Sequence, residues 1–170
     1  MNGADVNWQA FVSNEPLMVA GFGWCVAAVI KLLITLISDR KLVLVRMIGT
    51  GGMPSTHTAP VLAFTTCIGI LYGLNHPYFG TSMLLAVIVM YDATNLRQEA
   101  GKHAEAINIL LEELTKRGRI PKDKWTRMRE LLGHTYLEVI VGGIIGILSA
   151  VWGHQIWIHY IRIEQIGLPL

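Results

Sequence analysis

Charged side chains are scarce in this sequence. Asp, Glu, Lys and Arg together make up 15% of its 170 residues, whereas hydrophobic residues make up 52% and the mean hydropathy is +0.46. One small soluble domain cannot bury so large an apolar fraction, so we expect the chain to be embedded in lipid. The formal net charge of +2 is too small to indicate nucleic acid as a partner.

Cysteine is nearly absent as well. Cys25 and Cys67 both lie inside apolar runs, where a thiol usually acts as a small hydrophobic group rather than as a disulfide partner. No Lys or Arg precedes the first apolar run within residues 1–16, so a cleavable signal peptide is not indicated. We expect the first apolar segment to remain in the membrane.

Four apolar stretches approach the roughly 20 residues that a membrane-spanning helix needs. They predict an all-α polytopic bundle, a single membrane domain over residues 1–170, with helices at about 17–38, 57–74, 78–94 and 135–160. The second and third stretches are short for complete spans. Between them, Asn75-His76-Pro77 predicts a tight turn and a helical hairpin, because a proline ring cannot continue the preceding helix.

Lys and Arg are concentrated on one side of this topology. Twelve lie in the segments 39–56 and 95–133, against Arg162 alone on the other side, which predicts a multi-pass protein with both segments facing the cytoplasm, or the stroma of an organelle. Residues 97–133 are expected to form a loop with an amphipathic helix lying along the membrane or against the bundle, ended by Gly118 and Pro121. A second short helix is expected from about 123 to 132.

A first group of chemically useful side chains opens the second membrane helix. The segment Gly51-Gly52-Met53-Pro54-Ser55-Thr56-His57 predicts a turn followed by a capped helix start. Free N–H groups at such a start attract anions, and a histidine stands beside them. The alternative is a well-capped helix start with an incidental interfacial histidine.

A second group opens the last membrane helix. His134 and Glu138 are four residues apart, so on a helix the carboxylate can hold the imidazole in one tautomer. Thr135-x-x-Glu138 is equally a capping box, which would give Glu138 a purely structural role. Because both groups are predicted at the same membrane face, the two together favour a functional site.

These residues resemble a known superfamily. Pro54-Ser55-Thr56-His57 resembles the Pro-Ser-x-His motif of the type 2 phosphatidic acid phosphatase and vanadium haloperoxidase superfamily, and Arg129 followed by His134 and Glu138 resembles its Arg…His-x-x-x-Asp motif. A closer resemblance, over roughly residues 31–146, is to the divergent bacterial and plastid branch. It rests on the blocks Gly51–Thr58, Val89–Ala93, Arg97 and Glu130–Val139.

The resemblance implies a membrane-bound acid phosphatase, a hydrolase that removes phosphate from a lipid phosphate or diphosphate without a metal or other cofactor. His134 would attack phosphorus, Glu138 would orient it in place of the usual Asp, and His57 would protonate the leaving oxygen. The residues expected to bind the substrate are Arg129, Arg97, Ser55, Thr56, Lys31 and Asp92.

The match to the superfamily motifs leaves alternatives for the cationic residues. Arg129 lies five residues before His134 where the superfamily arginine lies six before, so Arg127 or Arg97 could take its place. The superfamily's Lys…Arg-Pro motif is absent, and its nearest substitutes are Lys31, Lys41 and Arg46. Asp92, costly inside an apolar helix, could pair with Arg97 or Lys31 for structural reasons instead of contacting substrate.

A second class of function is a non-catalytic membrane protein that binds lipid phosphate headgroups or acts as a scaffold. A transporter ranks lower, and so does a metal site, because no metal-ligand spacing stands out. The bilayer and a lipid phosphate are the expected partners, a homo-oligomer is compatible with the sequence, and no nucleic acid is expected. The histidines expected to lie outside the site are His76, His103, His154 and His159.

Overall fold

The fold was analysed in a computed structural model that describes residues 8–39, 51–128 and 133–166. Every regular element in these ranges is helical, which confirms the predicted all-α class. The helices are α1 (Trp8–Val12), α2 (Glu15–Asp39), α3 (Thr58–Tyr72), α4 (Pro77–Tyr91), α5 (Arg97–Lys116) and α6 (Tyr136–Ile166). A π-helical turn, Asp92–Leu96, joins α4 to α5, and a short 3-10 turn is formed by Lys122–Lys124.

Three helical stretches in the described residues are long and apolar enough to cross a membrane. They are Glu15–Ser38, Pro77–Lys116 and Tyr136–Tyr160. The fourth apolar helix, α3, has 15 residues and is therefore about 22 Å long, shorter than the roughly 30 Å hydrocarbon core. The four predicted apolar segments thus correspond to three long helices and one short one.

The interior of the bundle is formed by small side chains. The buried hydrophobic residues are mainly alanines, namely Ala27, Ala28, Ala59, Ala63, Ala86, Ala93, Ala104 and Ala150. Large apolar side chains point outward, for example Leu84, Ile88 and Ile144. This distribution suits helices in lipid, where association depends on close backbone approach because the lipid is as apolar as the side chains.

The closest backbone approach joins α3 to α6. A Cβ atom added to Gly146 would lie 3.1 Å from the Ala59 Cα and closer still to its carbonyl oxygen. A Cβ added to Gly142, one turn earlier, would lie 2.7 Å from the carbonyl oxygen of Ser55. Glycine at these two positions therefore allows the beginnings of α3 and α6 to lie side by side.

The turn between α3 and α4 follows from local sequence. Gly73 ends α3 with φ of 87°, a conformation that favours glycine. The His76 side chain then accepts a hydrogen bond from the Tyr78 N–H at 3.2 Å, and Pro77 takes the first position of α4. This is the tight turn that Asn75-His76-Pro77 predicts, and α3 packs against α4 beyond it.

The predicted helix after residue 97 is present, but it is continuous with α4 through the π-helical turn. The chain continues from α4 through the π-helical turn directly into α5, which ends at Lys116 shortly before Gly118. The predicted short helix after Asp123 is not formed over residues 125–128. The buried Asn108 explains this, because its side chain accepts from the Met128 N–H at 2.8 Å and donates to the Met128 carbonyl at 2.9 Å, so an intrahelical partner is not needed there.

A second polar cluster lies far from the two motifs. His154, in the second half of α6, is hydrogen-bonded through Nδ1 to the Glu15 carboxylate, and the Cys67 thiol lies 3.8 Å from the same oxygen, Oε1. His154 follows His134 by 20 residues, so the two are roughly 30 Å apart along the helix direction. The expectation that His154 lies away from the candidate site agrees with this position.

Candidate active site

The two predicted motifs are in direct contact. The Ser55 N–H donates to the Glu138 carbonyl at 3.1 Å, which joins the start of α3 to the start of α6. The Ser55 hydroxyl accepts from the Thr58 N–H at 3.2 Å and is 3.0 Å from the Thr58 hydroxyl. Through the hydrogen bond from the Thr58 N–H, Ser55 caps α3. Ser55 and Thr56 are both buried.

A carboxylate and two imidazoles form a continuous chain at this junction. Glu138 Oε2 lies 2.9 Å from His134 Nδ1, and His134 Nε2 lies 3.3 Å from His57 Nδ1. An ionised Glu138 only accepts hydrogen bonds, so the arrangement assigns the His134 proton to Nδ1 and leaves Nε2 with a lone pair. His57 Nδ1–H then donates to His134 Nε2.

One carboxylate oxygen of Glu138 takes part both in the capping box and in the contact with His134. Oε2 accepts from the Thr135 N–H at 3.3 Å, and the Thr135 hydroxyl accepts from the Glu138 N–H at 3.3 Å, which completes a capping box. Because the cap fixes the Glu138 rotamer, it also fixes the atom that holds His134. The structural and the functional interpretation therefore support each other.

Two cationic side chains accompany the histidines. Lys31 is 2% exposed, and its charge, like that of Arg97, acts on both His57 and His134. Arg97 Nε contacts Asp92 Oδ2 at 2.9 Å, so Asp92 has the partner five residues on that the sequence offered. A partly buried region with two cations and a hydrogen-bonded imidazole pair has the charge needed to attract a phosphate group.

The environment favours the neutral form of both histidines. Burial lowers the pKa of His57, and the neighbouring charges of Arg97, His134 and Lys31 lower it further. Burial also lowers the pKa of His134, an effect that the hydrogen bond to Glu138 partly opposes. A neutral His134 with an available lone pair at Nε2 is the state that a nucleophile or base requires.

These lowered pKa values predict a loss of stability in mild acid. The unfolded histidines titrate near 6.5, so below that pH the unfolded chain binds more protons than the folded protein, and the free energy of unfolding falls as pH drops through the folded pKa values. Melting in detergent at about pH 7.5 and about pH 5.5 measures this. His57→Asn should reduce the pH dependence, whereas His103→Asn, at an exposed position, should preserve it. Equal dependence in both variants would contradict the assignment.

The remaining predicted residues fall into two groups. Arg129, Lys41 and Arg46 lie outside the described residues. Arg127 lies on the exposed segment that follows α5, with Nη1 3.4 Å from Glu112 Oε1. Of the cationic candidates within the described residues, Lys31 and Arg97 are those whose charges act on both histidines.

Two contacts to His134 are not predictable from its own motif. The His134 N–H donates to the Ala93 carbonyl at 2.9 Å, and the Gln98 side-chain amide donates to the His134 carbonyl at 3.2 Å. Both partners belong to the junction of α4 and α5. The block Val89–Ala93 is part of the resemblance described above, and it was the available signal that this junction lies near the site.

Comparison with known proteins gives a family match over most of the chain. The family model described as "Divergent PAP2 family" matches residues 12–149, a range that includes both histidines, Glu138, Lys31 and Arg97. The chain belongs to the Divergent PAP2 family. This match confirms the divergent branch of the type 2 phosphatidic acid phosphatase superfamily that the motifs predict.

One curated relative matches most of the chain. It is the "Uncharacterized membrane protein YuiD" of Bacillus subtilis (strain 168), 39% identical over 145 residues, which cover 81% of this chain and 92% of the relative. No solved structure matches the chain. The relative's description as a membrane protein and the three long apolar helices together identify this Divergent PAP2 member as an integral membrane protein related to lipid phosphatases.

Proposed function

We propose that the protein is a metal-independent lipid-phosphate phosphatase that works through a phosphohistidine on His134. The observation that carries the proposal is the chain from Glu138 through His134 to His57, whose donor and acceptor order leaves Nε2 of His134 with a lone pair. Lys31 and Arg97 lie beside this chain, where they would stabilise the negative charge of a phosphoryl group.

The proposed reaction has two displacement steps. In the first, the Nε2 lone pair of His134 attacks phosphorus, the bond from phosphorus to the ester oxygen breaks, and His57 gives a proton to the leaving oxygen. In the second, water attacks the phosphohistidine, His57 takes a proton from that water, and the bond from phosphorus to nitrogen breaks. Glu138 keeps the His134 ring oriented and stabilises its positive charge throughout.

Substrate binding would prepare His57 for its role. The cations that lower the pKa of His57 would be offset by the negative charges of a bound phosphate, so the pKa of His57 would rise and the ring would take up a proton. His57 would also have to leave its 3.3 Å contact with His134 Nε2, because phosphorus must occupy that position. Bound phosphate would thus both displace His57 from His134 and promote the protonation of His57.

Phosphate release in the presence of EDTA tests the proposal. Purified protein in detergent would be given phosphatidic acid, phosphatidylglycerophosphate and an isoprenyl diphosphate, three lipids with a terminal phosphate. We expect release from at least one of them, and a trapped phosphoenzyme that is stable in alkali and labile in acid, as a phosphorus–nitrogen bond requires. A folded protein that releases phosphate from none of them would overturn the proposal.

A non-catalytic binder of lipid phosphate headgroups is the second candidate. The direct contact between His57 and His134 favours it, because this contact covers the nucleophilic nitrogen in the structure. Such a protein would use Lys31 and Arg97 for binding and would never form a bond to phosphorus. Binding without turnover is its distinguishing property.

Replacing Arg97 should weaken phosphate binding. Arg97→Gln removes a guanidinium that Asp92 holds beside the histidines, and we expect the inhibition constant of inorganic phosphate to rise about 10-fold or more, as for the loss of a charged hydrogen bond. Arg117→Gln is the matched control, because Arg117 is also ion-paired, with Glu113, but directly follows the far end of α5. Equal inhibition constants in the two variants would exclude Arg97 from the phosphate site.

We propose that the site faces the cytoplasm, or the stroma in an organelle. The basic residues of α5 and of the segment after it, which include Lys116, Arg117 and Lys122, follow directly from the junction that contacts His134, and the positive-inside rule favours the cytoplasm for such residues. The substrate headgroup would then be presented by the cytoplasmic leaflet, with its apolar tail between helices.

A further inference from the structure

The junction of α4 and α5 binds both the N–H and the carbonyl of His134. Its N–H donates to the Ala93 carbonyl at 2.9 Å, and its carbonyl accepts from Gln98 Nε2 at 3.2 Å. His134 precedes the first turn of α6, so these contacts take the place of the intrahelical bonds that a helical residue would have. The position of the imidazole therefore depends on the junction between α4 and α5.

The π-helical turn makes the Ala93 carbonyl available. The Arg97 N–H donates to the carbonyl of Asp92, five residues earlier, whereas in an α-helix it would donate to the carbonyl of Ala93. The Ala93 carbonyl can then accept from His134. π-Helical turns inside α-helices occur frequently at functional sites, where the extra residue redirects local groups.

The neighbouring residue fits this element closely. A Cβ atom on Gly133 would lie 2.7 Å from the Gln98 backbone nitrogen and 2.6 Å from its Cγ, so the chain before His134 rests directly on Gln98. The π-helical turn just before Gln98 carries Asp92, whose Oδ2 lies 2.9 Å from Arg97 Nε. One turn of helix thus sets both the backbone of His134 and the guanidinium beside it.

We propose that Gln98, together with the π-helical turn Asp92–Leu96, is the positioning element of the site. Gln98 acts through the His134 carbonyl and does not touch the reacting atoms. It keeps Nε2 of His134 in line with a phosphate held by Arg97. The proposal rests on the phosphatase function proposed above, and it adds a residue that the motifs of the superfamily do not include.

The variant Gln98→Met tests the proposal, because methionine has a similar length and no N–H donor. We expect kcat to fall roughly 10-fold to 100-fold, as small misplacements of a reacting group do, while the inhibition constant of inorganic phosphate stays unchanged. Gln155→Met makes the same change at an exposed position of α6, far from the site, and should leave both constants as in the wild type. Gln98→Leu, which also lacks the N–H donor and adds no charge, should show the same split as Gln98→Met.

Three outcomes separate the hypotheses. A wild-type kcat in Gln98→Met and Gln98→Leu would overturn the positioning role. So would a loss of kcat accompanied by an equal weakening of phosphate inhibition, since that is the result expected of general structural damage. If the wild type itself releases no phosphate, the function fails independently, and the NMR titration of the His134 imidazole decides the positioning role: a midpoint that moves in Gln98→Met but not in Gln155→Met supports it, and an unmoved midpoint overturns it.

Discussion

Phosphate release should fall by about 10⁴-fold or more when His134 is replaced by asparagine, the scale of loss seen when a covalent nucleophile is removed. Asparagine can still donate a hydrogen bond to Glu138 in place of the His134 Nδ1 contact at 2.9 Å, so the start of α6 retains its capping partner. What the variant lacks is a nucleophilic Nε2. Phosphate release and phosphoenzyme trapping, measured on the same preparation, give the result directly.

His103→Asn is the matched control for His134→Asn. His103 is exposed on α5, so the same chemical change there should leave turnover at the wild-type rate. Binding of phosphatidic acid to the His134 variant then shows whether the loss of turnover leaves the binding site intact. A phosphatase loses turnover while its binding persists through Lys31 and Arg97, whereas a protein whose phosphate release continues in His134→Asn does not use a phosphohistidine at this residue.

The Gly146→Ala variant should be less stable than the wild type by about 2–3 kcal/mol, the usual cost of forcing an extra methyl group into a packed interior. The new Cβ would meet the backbone of Ala59, 3.1 Å from its Cα and nearer to its carbonyl oxygen. A backbone cannot move aside as a flexible side chain can, so α6 would have to separate from α3. Thermal unfolding in detergent should register a clear fall in melting temperature.

Gly80→Ala provides the comparison for Gly146→Ala. Gly80 lies in α4, and a Cβ there would meet nothing within 4 Å, so its alanine variant should be at least as stable as the wild type because alanine favours the helix. Gly146→Ala should also lose activity, since separating α6 from α3 pulls Glu138 away from Ser55. Two variants with the same melting temperature would mean that α3 and α6 do not meet at Gly146.

Local chemistry made part of the fold predictable. Pro77 and the residues before it predict the turn between α3 and α4, and Thr135 with Glu138 predicts the capping box that the structure contains. In each case the groups that interact are within four residues of each other, so the sequence itself brings them together. Apolar stretches likewise predict the helices, three of which are long enough, within the described residues, to cross the hydrocarbon core.

Other features depend on packing that no local pattern reveals. His57 and His134 are 77 residues apart, and their contact at 3.3 Å exists because Gly142 and Gly146 let α3 and α6 approach. The π-helical turn has no distinctive residue pattern. A boundary between a membrane helix and a separate loop is therefore predicted near residue 97, where the structure has a continuous helix. Asn108 lies within the predicted amphipathic helix, and only the fold reveals that its side chain binds the backbone of Met128.

The distance between the two polar clusters has a consequence for the lipids. The proposed site and the Glu15–His154 pair lie roughly 30 Å apart along α6. Small buried side chains form the interior of the bundle. A phosphorylated headgroup crosses hydrocarbon only at high energetic cost, so headgroups in the far leaflet stay out of reach of His134. Hydrolysis at such a site would remove negative charge from one leaflet alone, and the two surfaces of the membrane would come to differ in composition.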